Sequence, residues 1–179
     1  MNEKTEAAPE DNQEQEGPQL NRLRRILEKI ERLPGWLQGW ARRKAIHFSI
    51  PFTGTAGIEI IELEPDLVRL RMPNRRRVRN HIKGVHAAAM ALLAETASGL
   101  AVGMHLPDDK VPLLKTMGFR YTRRAIGSIT AEARVTSKQI RDMDETDKGE
   151  AKVDVQLWDD ENEKPVECVT VWAWVPKKK

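Results

Sequence analysis

Between Gly84 and Met104 the chain is rich in Ala, Leu, Met and Val, and the only acidic or basic side chain apart from His86 is Glu95. A helix made of this stretch has no face suited to water and has to be buried. An ionised carboxylate in such a place must open onto a cleft, find a partner or keep its proton to higher pH. Each of these suits a general acid or base working near neutrality. A carboxylate that caps a neighbouring backbone group, or that pairs with an arginine across an interface, would explain Glu95 equally well.

Asn80, His81 and His86 lie on the approach to the same helix. Unpaired amides and the positive end of the helix dipole make that approach a place where a carbonyl oxygen or an oxyanion can be held. Taken alone, His81 and His86 are more often structural or exposed histidines than functional ones. Nine residues separate His86 from Glu95, which puts them on opposite faces and about 13 Å apart along the axis. One small substrate therefore meets both groups only if two copies of the chain pair, helix start against Glu95.

The elements that would position these groups can be read from periodicity. Residues 1–19 are polar and acidic and have little to bury, so a disordered tail is expected. Leu20, Leu23, Ile26, Leu27, Ile30 and Leu33 then recur at helical spacing, with Arg22, Arg25, Lys29 and Arg32 opposite, until Pro34-Gly35. Helices of this kind pack on their own domain or on a partner subunit more often than on lipid, so packing is the expectation. Peripheral membrane contact by residues 20–40, helped by Trp36 and Trp40, is the lesser alternative. A second helix should run from Trp36 to about His47. Strands are expected at 58–63 and 67–72, joined by the turn Glu64-Pro65-Asp66. After the buried helix, strands are expected at 119–123, 129–135, 151–157 and 165–175. In the last of these both faces should be covered. The acidic residues Asp142, Asp144, Glu145 and Asp147 have no glycine at the sixth position of a calcium loop and read as a solvated turn.

With 179 residues, 40% of them hydrophobic and 32% charged, the chain suits one globular domain. Its single cysteine, Cys168, excludes an internal disulfide and a multi-cysteine metal site, and no metal is expected. No secretory signal opens the sequence, so a cytoplasmic location is expected. The apolar helix is interrupted by His86, Glu95, Thr96 and Ser98, which argues against a transmembrane span. A net charge of +3 with one tyrosine and three phenylalanines does not supply the basic and stacking residues that nucleic acid needs.

The run Asn80-His81-Ile82-Lys83-Gly84-Val85-His86-Ala87-Ala88-Ala89, followed by Leu93-Ala94-Glu95-Thr96-Ala97-Ser98-Gly99, resembles the core motif of the hotdog-fold acyl-CoA thioesterases of the phenylacetate-degradation type. It is most similar to their branch known only as a domain of unknown function. The resemblance spans roughly residues 45–176. It implies an α+β hotdog domain over 48–176, an antiparallel sheet wrapped around one long central helix. The N-terminal helices of 20–47 would precede it and a short basic tail, 177–179, would follow. It also implies a homodimer or a dimer of dimers, with composite sites at the interface. Glu95 would be the general base or nucleophile, Asn80 would hold the water or the thioester, and His86 would polarise the carbonyl. His81, Gly84, Ala87 and Thr116 are the candidate positioning residues around it. Arg123 and Arg124, with Arg77 and Lys115, are candidates for the phosphates of coenzyme A, which enters as part of the substrate and not as a cofactor. The sequence departs from the motif where His86-Ala87-Ala88 replaces His-Gly-Gly, where Gly84 is displaced by one residue, and where Leu113 and Leu114 stand near the place of an assisting Ser or Thr.

The leading expectation is hydrolysis of an acyl thioester carried by coenzyme A or a carrier protein. The alternatives are a 3-hydroxyacyl-thioester dehydratase or hydratase, which the fourteen-residue spacing of His81 and Glu95 would suit, and a non-catalytic acyl- or lipid-binding hotdog protein. Trp158, Trp172 and Trp174 read as core or interface residues, one of which could line an acyl tunnel.

Overall fold

The alternation of Val68, Leu70 and Met72 with Arg69 and Arg71 produces a strand with one dry face, and the whole sheet repeats that logic. The computed structural model describes residues 20–178. Among the described residues three helices come first: α1 (Arg22–Glu31), α2 (Gly35–Ser49) and α3 (Pro51–Ala56). Strands β1 (Glu59–Glu64) and β2 (Leu67–Met72) form a hairpin, and a single 3-10 turn (Arg76–Val78) leads to the central helix α4 (Ala87–Gly103). After it come β3 (Lys110–Tyr121), β4 (Ile129–Arg134), α5 (Ser137–Glu145), β5 (Gly149–Asp159) and β6 (Val166–Pro176).

All six strands join one antiparallel sheet in the order β1-β2-β4-β5-β6-β3. The sheet curls around α4, in which Leu93, Ala94, Ala97, Ser98 and Val102 are completely or almost completely buried. This is the expected hotdog arrangement. Among the described residues two edges remain: the short β1, and β3, which pairs only with β6. Among the described residues no helix is long and apolar enough to cross a membrane.

Several expectations need correction. The strand anticipated at 119–123 is the end of a twelve-residue strand. Pro112 and Gly118 obscure its alternation, and Lys115 occupies a bulge between Leu114, opposite Trp172, and Thr116, opposite Val171. The acidic turn is instead the end of helix α5. Thr136 and Gln139 start that helix with a reciprocal capping box, and Met143 anchors it in the core. In the single chain the two faces of β6 differ: Trp172 and Trp174 are buried on one, whereas Val169 on the other is exposed. The helices run on to Ala56, so the boundary after His47 falls inside α2. The expected disordered tail, 1–19, lies outside the described residues.

The apolar face of α1 is packed inward. Leu27 and Ile30 are buried, and Asn21 fastens the helix. Its amide donates to the carbonyls of Gly103 (2.7 Å) and Leu106 (2.8 Å), while its Oδ1 accepts from the Arg24 N–H at 3.0 Å. One side chain thereby caps the start of α1 and satisfies carbonyls orphaned at the end of α4. Leu27 and Ile30 of α1 are thus turned to the chain's own domain, while Leu33 at the end of the same stretch is exposed.

Candidate active site

α4 is not clothed equally on all sides. Ala88, Ala91, Leu92, Glu95 and Gly99 form a stripe at spacings of three and four along one face, and each is at least partly exposed in the single chain. Glu95 sits at the middle of this stripe. Among the described residues its carboxylate has neither a hydrogen bond nor an ion pair, and burial raises its pKa above the ordinary glutamate value.

Glu95 borders a cleft of about 470 Å³. Leu23 and Ile26 of α1, Ile46, Ser49 and Ile50 around the α2–α3 junction, and Thr96, Gly99, Leu100 and Gly103 of α4 form most of its wall, closed by Pro112 and Trp172. The Trp172 indole donates from Nε1 to the Ser98 hydroxyl at 2.9 Å, and that hydroxyl donates to the Ala94 carbonyl, also at 2.9 Å. The ring lies so close to Gly99 that a Cβ there would meet it at 2.9 Å. Gly99 is thus required for close approach between helix and indole, and Trp172 is the tryptophan that lines the cleft.

The start of α4 is built differently, because its polar groups hold one another. Asn80 Oδ1 accepts from the N–H groups of Ile82 (3.1 Å) and Gly84 (3.0 Å), so the side chain shapes the loop. His86 is the N-cap, and its Nδ1 accepts from the Ala88 N–H at 3.0 Å, which places the ring proton on Nε2. Tyr121, at the end of β3, donates its hydroxyl to the Ala87 carbonyl at 3.1 Å. Among the described residues the Ala87 N–H has no hydrogen-bond partner, so it is the donor left at this helix start. His81 is exposed. Gly84 is buried, with space beside it that ends at the Ala125 carbonyl and the Asn80 amide.

The candidate phosphate ligands divide in the same way. Arg123 faces three carboxylates, Glu161 at 2.6 Å, Asp159 at 3.7 Å and Glu163 at 3.9 Å, so its charge is already compensated. Lys115 pairs with Glu150. The Arg77 guanidinium packs over Gly57, where a Cβ would meet it at 1.9 Å. Arg124 is exposed and donates to the Ile82 carbonyl at 3.0 Å, which holds a cation at the α4 start loop. Thr116 is exposed on the far side of the bulge from Leu114. The structure therefore groups Asn80, His86, Ala87, Tyr121 and Arg124 at one end of α4, and places Glu95 and Trp172 at the cleft. Tyr121 and Trp172 gave no sequence signal of a site role beyond their aromatic character. His47 and His105 are structural: each presents its Nε2 to a carbonyl, that of Ile58 at 3.0 Å and that of Pro65 at 2.6 Å. Among the described residues no cluster of His, Cys, Asp or Glu could hold a metal ion.

Comparison with solved structures bears on this arrangement. A Pseudomonas aeruginosa protein of unknown function, named "Probable Thioesterase", shares 31% identity over 81% of this chain and 97% of its own, with a TM-score of 0.68. A variant of a thioesterase enzyme from Staphylococcus aureus is 22% identical over 70% of this chain and 99% of its own, with a TM-score of 0.60. A thioesterase family protein from Silicibacter pomeroyi is 16% identical over 75% and 96%, with a TM-score of 0.58. These last two likenesses establish the fold. Comparison with curated proteins finds no significant match. The family described as a domain of unknown function, DUF4442, matches residues 39–175, and this chain belongs to that family.

Proposed function

We propose that the protein hydrolyses an acyl thioester, of coenzyme A or of a carrier protein, at a site completed by a second copy of the chain. The observation that carries this reading is the half-buried Glu95, unpaired among the described residues, at the wall of a largely apolar cleft. Further support comes from the Pseudomonas relative, which is similar enough in sequence for its name to bear on this chain. In the proposed reaction Glu95 takes a proton from water, and the resulting hydroxide attacks the thioester carbonyl. The tetrahedral oxyanion is held by the Ala87 N–H at the α4 start of the partner copy. Collapse breaks the C–S bond, and the departing thiolate receives the proton that Glu95 had taken. His86 acts as a positioning residue that keeps the helix start in shape through Nδ1.

The Ala87 N–H and Glu95, about 12 Å apart along one helix, cannot meet on one thioester, which is why the reading needs a second copy. The unpaired edge of β3 is the natural place for it. Arg124, next to the helix-start loop and without a carboxylate partner among the described residues, is better placed for a phosphate than Arg123. Thiol release from a series of acyl-CoAs tests the proposal. Hydrolysis by the wild type that is abolished in Glu95→Gln supports it. Undetectable release, or release that the substitution leaves unchanged, would overturn it.

A further inference from the structure

We propose that the face formed by α2 and α3 docks on an anionic lipid surface. Unlike α1, this pair leaves its large apolar side chains in water: Phe48 is 89% exposed, Trp36 81%, Phe52 63% and Trp40 54%. At 100° per residue Trp36, Trp40, Arg43 and Lys44 fall within about 100° of arc on one side of α2. Phe48 follows one turn on, and Phe52 lies in α3. Rings that belong at a water–hydrocarbon boundary are thus interleaved with cations, the composition of a helix lying in a membrane interface.

Charge selects the partner. From Arg32 to Ile58 the sequence contains no Asp or Glu. Arg42 is engaged by Glu31 at 3.5 Å and more distantly by Glu64 at 3.9 Å, but among the described residues Arg32, Arg43 and Lys44 have no acidic partner. A second copy docked face to face would set these cations against their own images. The acidic segment 1–19 could offset the charge, but it has no aromatic residue and no aliphatic one larger than alanine except Met1 and prolines, so the rings would stay wet. A surface of anionic headgroups over acyl chains satisfies both kinds of side chain. Ser49 and Ile50, which line the Glu95 cleft, lie between Phe48 and Phe52, so the docked face would bring the cleft to the lipid. That consequence rests on the thioester reading, whereas the docking does not.

The test uses the full chain with vesicles of phosphatidylcholine alone or mixed with anionic phosphatidylglycerol. The protein should cosediment with the mixed vesicles, less so as salt is raised, and tryptophan emission should shift to the blue on binding. Arg43→Gln and Lys44→Gln should each weaken binding about fivefold, and combined Trp36→Ser and Phe48→Ser should weaken it about tenfold or more. All four residues are exposed, so circular dichroism should show the variants folded. Quenching of wild-type emission by brominated lipid gives the same answer without a variant. Failure to bind mixed vesicles, or binding that neither pair of substitutions alters, would overturn the proposal. So would light scattering that shows the aromatic substitutions breaking an oligomer in the absence of vesicles, since the face would then belong to a second copy. Vesicle binding without thiol release would leave the docking standing and remove only the catalytic reading.

Discussion

The two halves of α4 treat polar groups in opposite ways. At its start Asn80, His86 and Tyr121 each bond to the backbone of the chain itself. Two turns further on, Glu95 stands against a cleft with no partner among the described residues and a raised pKa. A satisfied polar group shapes the fold at little cost, whereas an unsatisfied charge costs stability and persists where function requires it. Among the described residues the helix start is therefore a scaffold that presents one free N–H, that of Ala87, and Glu95 is the group we propose to be reactive.

The largest effect expected from this contrast is on turnover. Glu95→Gln should lower thiol release by about a hundredfold to ten-thousandfold, the range of general acid–base catalysis, with no loss of folded structure. Next comes the cleft wall. Gly99→Val should cost about 2 kcal/mol in urea unfolding, because the Trp172 ring already lies 2.9 Å from where a Cβ would be. At the helix start, Asn80→Ala and His86→Ala should each cost about 1 kcal/mol through the lost loop and cap bonds. His86→Asn, which can still cap, should recover stability and most of the turnover; if it does not, His86 touches the substrate and the contrast within α4 weakens.

The smallest effect is on stability against pH. Because burial raises the Glu95 pKa in the folded chain, the native state holds more protons than the unfolded one between the ordinary carboxylate value and the raised one. Wild-type stability therefore falls as pH rises through that window. Glu95→Gln removes the penalty and should be more stable at pH 7 by less than about 1 kcal/mol, given partial solvent screening. Below the ordinary carboxylate range the gap should close.

The hairpin and strands β4 to β6 were legible because their apolar residues alternate with polar ones, and the central helix because its run is apolar on every side. β3 was not, since a bulge at Lys115 shifts its alternation in mid-strand. Helix α5 was hidden by its acidic residues, although Thr136 and Gln139 carried a capping-box signal that could have found it. At the site, Glu95 was visible from composition alone. Its cleft was not, because the walls come from α1, from the α2–α3 junction and from β6, segments far apart in the chain. Equally, nothing near Arg123 in sequence foretold that Asp159, Glu161 and Glu163 would surround its guanidinium.

The state of the Glu95 carboxyl can be measured directly, by following its side-chain carbon resonance through a pH titration of the full chain and assigning it with Glu95→Gln. A midpoint clearly above that of a free glutamate, near 4.3, is the predicted result. A midpoint at or below it would show a solvated or paired carboxylate and contradict the account.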